Sequence, residues 1–251
     1  ILLIAGLLII SPGCRKKEDK KTQITTKSIP AGELKITYFT PTGVTQAPHE
    51  TESVVVVFDH PMIPLEQLSD DKAEPIIKFQ PHFSGKQRWL NPKTLGFSPD
   101  NPFPFASKIT AFIPEGTRSY DGYELKKDHA WSFTTILPRL VNHFPHDKQK
   151  WLGLDTEILL VFNQPVEART VREFISFIRV DRDNKEFTTD FKLNHPHADQ
   201  LEKSRIKASP EVTILLKPTA LLLPESSYFI ELKPGLLGKQ GNLGMEKSRI
   251  F

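Results

Sequence analysis

From Leu34 onward the apolar residues come in short runs. "LKITYFT" alternates apolar and polar positions, "SVVVVF" is continuous, and "PIIKFQ", "QRWL", "LGFSP", "KITAFIP" and "AWSFTT" follow, with Pro, Gly, Asn and Asp between them. Runs of this length, alternating with a period of two and separated by turn formers, predict strands. Seven short strands within about a hundred residues predict a β-sandwich. The chain holds 21 prolines against 13 glycines, which disfavours long helices anywhere after the N-terminal segment.

The pattern then repeats. Phe58 in "VVVVFDHPM" and Phe162 in "ILLVFNQPV" lie 104 positions apart, as do Pro61 and Pro165. Later landmarks keep a wider spacing of 119: "LGFSP" at Leu95–Pro99 against "ILLKP" at Ile214–Pro218, Gly116 against Gly235, and Gly122 against Gly241. The two spacings differ by 15 residues, which places an insertion around "LNHPHADQLEKSRIKAS", Leu193–Ser209, a polar stretch that reads as a long hairpin loop. Matching landmarks at both ends of the unit predict duplication of one module.

Within each unit an apolar strand buried on both faces is expected to run to Phe58 or Phe162 and then stop. Pro61 and Pro165 have no N–H to give a ladder, and they push His60 and Gln164 toward extended backbone. Asp59 and Asn163 suit the turn, because their side chains can bond nearby backbone N–H groups. The following segments, "MIPLEQLS" and "VEARTVREF", are compatible with a short helical turn across the sandwich edge. Asp59-His60 has Asn163-Gln164 as its counterpart, and the latter pair cannot transfer protons, so the motif reads as architecture and not as acid/base chemistry.

The N-terminus is different in kind. "ILLIAGLLIISPGC" is almost entirely apolar, too short to span a bilayer as a helix, and ends in small residues before Cys14, the only cysteine, which excludes an internal disulfide. Residues 1–14 are expected to be a signal peptide whose N-terminal part is missing. A charged tether follows at 15–33, starting with "RKKEDKK". With 25% charged residues, 38% hydrophobic residues and a net charge of only +3, most of the basic excess sits in that tether, so no nucleic-acid partner is expected.

Other constellations carry weaker signals. His195 and His197 in "HPH", near Asp199, are weak metal candidates, because a closed site needs further ligands, and no metal is expected. His143 and His146 fall at the expected module junction, where exposed polar residues are the default. Asp70–Lys72 and Tyr120–Gly122 lack the oxygen-ligand spacing of a calcium loop. Trp89 and Trp131 lie in strands and are expected in the core, while Trp151 near the junction has no such assignment. There is no G-x-S-x-G motif and no phosphate-binding glycine loop, so neither an enzyme nor a cofactor is expected.

Two resemblances organise these residues. "SPGC" resembles the lipobox of bacterial lipoproteins, which implies cleavage after Gly13, lipidation of Cys14 and, with Arg15 next, an envelope location at the outer membrane. The same residues also read as an uncleaved anchor or plain secretory signal with an incidental Cys14. The strand-Phe-x-x-Pro start, the two late glycine turns and the closing "AWSFTT" resemble bacterial Ig-like domains of the surface-layer type. This gives the predicted fold: all-β, two tandem Ig-like β-sandwich modules at 34–136 and 137–251 after a signal peptide and polar tether, the second module continuing past Phe251.

A lipoprotein signal followed by two such modules resembles the N-terminal region of the bacterial alpha-2-macroglobulin family, periplasmic protease traps. The resemblance implies a non-catalytic, membrane-anchored part whose target proteases would be met by downstream domains. The Cys-Gly-Glu-Gln thioester of some members is not formed here, since Cys14 precedes Arg-Lys-Lys. The alternative is a stand-alone envelope lipoprotein whose Ig-like modules bind glycan or another surface protein.

Overall fold

The computed structural model describes residues 32–68 and 75–251. Gly13, Cys14, most of the tether and Asp70–Lys72 lie outside the described residues. The described residues of the first half contain eight strands: β1 (Ile36–Thr40), β2 (Gly43–Val44), β3 (Val54–Phe58), β4 (Lys78–Gln80), β5 (Gly85–Asn91), β6 (Thr94–Pro99), β7 (Lys108–Ile113) and β8 (His129–Thr134). They form two sheets of order β1-β3-β6-β5 and β2-β8-β7-β4, antiparallel except for the β2-β8 pair. All seven runs read from the sequence fall on strands; the two-residue β2 had too short a pattern to be seen.

The second half is built the same way from β9 (Leu140–Phe144), β10 (Ile158–Phe162), β11 (Ile175–Val180), β12 (Glu186–Thr188), β13 (Phe191–Asn194), β14 (Thr213–Pro218), β15 (Ser227–Leu232) and β16 (Arg249–Ile250). Its first sheet, β9-β10-β14-β13, repeats β1-β3-β6-β5 strand for strand. Its second sheet pairs β11, β15 and β16 as the first module pairs β4, β7 and β8, with β12 added at the β11 edge. The chain is thus nearly all β, with four sheets and two short helices, α1 (Ala168–Glu173) and α2 (Ala198–Lys203), among the described residues. No described helix is long and apolar enough to cross a membrane.

Each pair of sheets closes over its own apolar core. In the first module Val54, Val56 and Phe58 of β3 meet Leu95, Phe97, Ile109, Ile113 and Phe133, and both Trp89 and Trp131 are buried. In the second, Leu160 and Phe162 meet Phe177, Ile214, Leu216, Ile230 and Leu232. Phe58 and Phe162 are 1% and 2% exposed, which puts both at the centre of their sandwiches.

The expectation of strands buried on both faces holds for only one of the pair. Every residue of β10 is buried, but Val55 and Val57 of β3 alternate with the core residues and are half-buried. The inserted segment accounts for the difference. It is not the polar loop its composition suggested: it carries α2, whose Leu201 packs on Leu159 of β10 and Leu215 of β14, with Phe144 and Ile206 beside them. The insertion covers the outer face of the second module's first sheet, a face the first module leaves partly to solvent.

The turns after the Phe-x-x-Pro motifs are helical, as expected: a 3-10 turn at Leu65–Gln67 in the first module and α1 in the second. Val171 of α1 is fully buried and fastens that crossing to the core. Replacing Phe58 or Phe162 by alanine removes a central ring, with an expected cost of roughly 3–5 kcal/mol. Chemical denaturation should show the transition of the mutated module moving to lower denaturant; unchanged midpoints in both variants would contradict the core assignment.

Candidate functional site

The repeated motif and the contact between the modules are the places where side-chain chemistry departs from plain strand packing. At the end of β3 the Asp59 carboxylate accepts the Lys35 N–H at 2.8 Å, while the Asp59 N–H donates to Lys35 O at 3.0 Å. At the end of β10, Asn163 Oδ1 accepts the Arg139 N–H at 2.9 Å and the Asn163 N–H donates to Arg139 O at 3.1 Å. Asn163 Nδ2 adds a bond to Leu137 O. The two residues are therefore more than turn formers: each clamps the end of its central strand to the start of the module's first strand, 24 residues away. Two reciprocal bonds to one residue fix register where the apolar ladder gives out.

Pro61 and Pro165 have the same partner geometry. Pro61 O accepts the Tyr120 N–H and Pro165 O accepts the Lys239 N–H, each at 2.8 Å. Both donors belong to the second glycine turn of their module. Gly116, Gly122, Gly235 and Gly241 all have positive φ, between 69° and 92°, a conformation that strains residues with a Cβ. The Phe-x-x-Pro motif thus holds the late turn of its own module, a link that no local reading of the motif could give.

Beside the first clamp, His60 stacks on Tyr123 with ring centroids 3.5 Å apart, and its Nδ1 lies 2.8 Å from Asp121 Oδ2. Ser119 Oγ donates to the other oxygen of Asp121 at 2.6 Å. The serine hydroxyl is thus bound to the carboxylate and not to the imidazole, which is the wrong wiring for a nucleophile activated by a base. The Ser119 hydrogen bond, helped by His60 and opposed by desolvation, holds the Asp121 carboxyl below its ordinary range.

The histidines singled out by sequence separate in space. His195 Nδ1 lies 2.9 Å from Pro210 O and 3.0 Å from Thr213 O, tying down the return of the insertion. His197 precedes α2, and its N–H donates to Gln200 Oε1. Among the described residues no group of three His, Cys, Asp or Glu side chains is placed to hold a metal ion. His143, expected on the surface, is 7% exposed: its ring lies 4.2 Å from that of Phe251 and its nitrogens face Pro145 O and Asp147. Trp151 is fully exposed.

The modules meet through backbone as well as side chains. The second module's turn Lys239–Leu243 lies on the Phe105–Ala106 edge of the first. Asn242 and Leu243 N–H groups both donate to Ala106 O, at 3.1 and 3.0 Å, and Phe105 N–H donates to Gln240 Oε1. A Cβ on Gly241 would collide with the carbonyl oxygens of Phe105 and Ala106, so the approach requires glycine. Gln164, 1% exposed, donates to Ile136 O in the connecting segment, and its Oε1 has no hydrogen-bond partner among the described residues. Sequence pairing identified Gly241 as a turn residue; nothing in the sequence marked Ala106, which is buried by a neighbouring module.

Two outcomes follow from this geometry. Asn163→Ala removes two side-chain bonds, and a loss of about 1–3 kcal/mol is expected for the second module, read by denaturation; Asn163→Asp keeps the acceptor for the Arg139 N–H but loses the donor to Leu137 O and sets a carboxylate oxygen against that carbonyl. Burial, and secondarily Lys127, lowers the pKa of His129 from 6.5, and its ring packs against Phe39. The folded state therefore favours neutral His129, and the unfolded chain takes up its proton first as pH falls below 6.5. Stability of the first module is expected to decline from that pH downward, and His129→Phe should flatten the decline; the Asp121 contribution is lost separately, below pH 3.8.

No family model matches the chain. Over 205 residues, 77% of the chain, it is 24% identical to a protein named alpha-2-macroglobulin homolog from Nostoc sp.. The chain spans 11% of the length of that relative. Among solved structures, native alpha-2-macroglobulin from Escherichia coli spanning domains MG0-NIE-MG1 aligns over 87% of this chain and 71% of that one, at 14% identity and a TM-score of 0.30. L,D-transpeptidase 3 from Mycobacterium tuberculosis aligns over 53% of this chain and 48% of that one, at 18% identity and a TM-score of 0.29. The resemblance to the alpha-2-macroglobulin family is borne out by the Nostoc relative.

Proposed function

We propose that this chain is a non-catalytic, structural N-terminal part of a membrane-anchored alpha-2-macroglobulin-like protease inhibitor. The observation that carries the reading is the match to the Nostoc alpha-2-macroglobulin homolog over 77% of the chain. Two further features support it. The clamped modules are tied to each other through backbone bonds and a glycine-dependent approach, which suits a part whose work is to hold and space other parts. The segment ending at Cys14, with its charged tether, suits attachment to a bilayer with some reach away from it.

In this reading the two modules form no bond with a protease. They carry load between a lipid at Cys14 and the inhibitory domains, on the periplasmic side of the envelope, with the outer membrane as the destination suggested by Arg15. The charged tether acts as a self-repelling spacer, and the sandwiches keep the connection stiff beyond it.

The test is an immunoblot of cell envelopes with antibodies to the modules, combined with palmitate labelling. A labelled band several times larger than 28.5 kDa is expected, with label lost in Cys14→Ser. A labelled band near 28.5 kDa would overturn the trap reading in favour of a small two-module lipoprotein. An unlabelled large band would remove the lipid anchor.

A further inference from the structure

The two modules treat one and the same surface differently. In the second, the outer face of the sheet β9-β10-β14-β13 carries α2, with Leu201 packed on Leu159 and Leu215. The spacings of 104 and 119 put Val55 and Gly96 at those two places in the first module. Val55 and Gly96 face each other across β3 and β6, as Leu159 and Leu215 do across β10 and β14. The chain then takes another course. β13 stops at Asn194 and leaves the sheet toward α2, whereas β5 runs on to Asn91 and turns straight back into β6. Leu90 swings over Gly96, 3.5 Å from where a Cβ would stand, and fills part of the space that Leu215 takes in the other module.

What stays open is apolar at its centre and basic along one side. Tyr38 and Leu90 are 56% and 57% exposed, and Val55 and Val57 between them are half-buried. Tyr38 pairs with Val57, and Val55 with Gly96, so these residues share one face of β1, β3 and β6. Apolar side chains gathered in this way mark an interaction surface, where the same residues scattered singly would not. Lys86 and Arg88 of β5 are exposed and pair with Ser98 and Gly96, which puts both cations on that face, opposite the core-facing Trp89. None of the four strands contains an aspartate or glutamate. Among the described residues neither cation is in a salt bridge. The second module balances its charge on this side, since Glu157 binds both Lys217 of β14 and Gln200 of α2. Ser53 and Ser98 occupy the places of Glu157 and Lys217 in the first.

We propose that the outer face of β1-β3-β6-β5 seats an amphipathic α-helix of a partner protein, with an apolar ridge over Val55, Val57 and Leu90 and an acidic flank against Lys86 and Arg88. The shape argument comes from α2: the other copy of this sheet face takes a helix, held by Leu201 as its one buried residue. Helices docked on such surfaces are read through apolar anchors three and four residues apart. Charge selects among occupants. A second copy of this chain, packed face to face, would set a surface without carboxylates against itself and leave the cations of both copies unpaired. The α2 helix of a second copy is already seated on its own module. An acidic flank pairs both cations and rejects basic competitors. The inference stands on the repeat geometry and does not rest on the protease-trap reading.

The probe is a synthetic helical peptide of about sixteen residues, with leucines along one side and glutamates beside them, titrated into the isotope-labelled 251-residue protein and followed by NMR. Amide shifts are expected at Val55, Val57 and Gly96, and none at Leu159 and Leu215, where α2 already sits. Lys86→Glu with Arg88→Glu should weaken binding at least about tenfold, as should lysines in place of the peptide's glutamates. Tyr38→Asp with Leu90→Asp should abolish it while the core strand amides keep their positions. Equal affinity for the glutamate and lysine peptides, shifts centred elsewhere, or no binding overturns the proposal. Preference of the face for phosphatidylglycerol vesicles over the peptide also overturns it and makes the surface a membrane contact. In cells, a photo-crosslinking residue in place of Leu90 should join the protein to an acidic amphipathic segment of a partner, mapped by mass spectrometry. Adducts with lipid alone, with a basic or extended segment, or no adduct at all, overturn the proposal.

Discussion

Each sandwich depends on how its central strand ends. An apolar strand at the middle of a sheet has no intrinsic stopping point, and a slip of one residue would turn its core face outward. At Asp59 and Asn163 a side-chain acceptor and a backbone donor grip a single residue of the first strand, so that slipping breaks both bonds at once. Two residues later a proline withdraws from the ladder and offers its carbonyl to the second glycine turn. One short motif thereby joins the beginning, middle and end of a module. Aspartate and asparagine can exchange roles there because the first bond needs only a side-chain oxygen acceptor.

The same scaffold is then finished differently in the two halves. In the first, the outer face of β3 stays half-open and the aromatic groups gather inside, with Phe103 in contact with Phe79, Phe97 and Phe133. In the second, α2 closes the outer face, and Gln200 and Lys217 converge on Glu157 beside it. The added helix stabilises by covering Leu159 and Leu215, and it follows that β10 can be apolar at every position without exposing a sticky sheet. His60 and Gln164 diverge in the same way: the histidine packs within its own module's turn, and the glutamine reaches the connecting segment at the joint.

The polar contacts of the chain serve its own architecture. Its specific polar contacts are spent on register, on turns and on the joint, and the Ser119, Asp121 and His60 trio is wired for holding a turn in place. The joint relies on backbone carbonyls and a missing Cβ, features that tolerate much change in surface side chains while fixing how close one module can come to the next. That explains how two sandwiches of quite different surface can be assembled by one repeated geometry.

Much of the fold could be read from the sequence because its cause is local or periodic. Alternation along "LKITYFT", continuous burial along "ILLVF", prolines that end strands and glycines at positive φ each act within a few residues, and the two spacings of 104 and 119 exposed the duplication. The outcomes that needed the tertiary structure are those set by partners distant along the chain. A polar composition at Leu193–Ser209 hid a helix whose single buried leucine finds its partners on β10 and β14. Asp59 and Asn163 act on a residue 24 positions earlier, and His143 is buried by Phe251. Ala106 and Gly241 matter because two modules meet there. Sequence by itself determined which segments become strands and where they stop, since those depend on neighbouring residues; only the folded chain decided which surfaces are covered, because coverage depends on what is brought up against them.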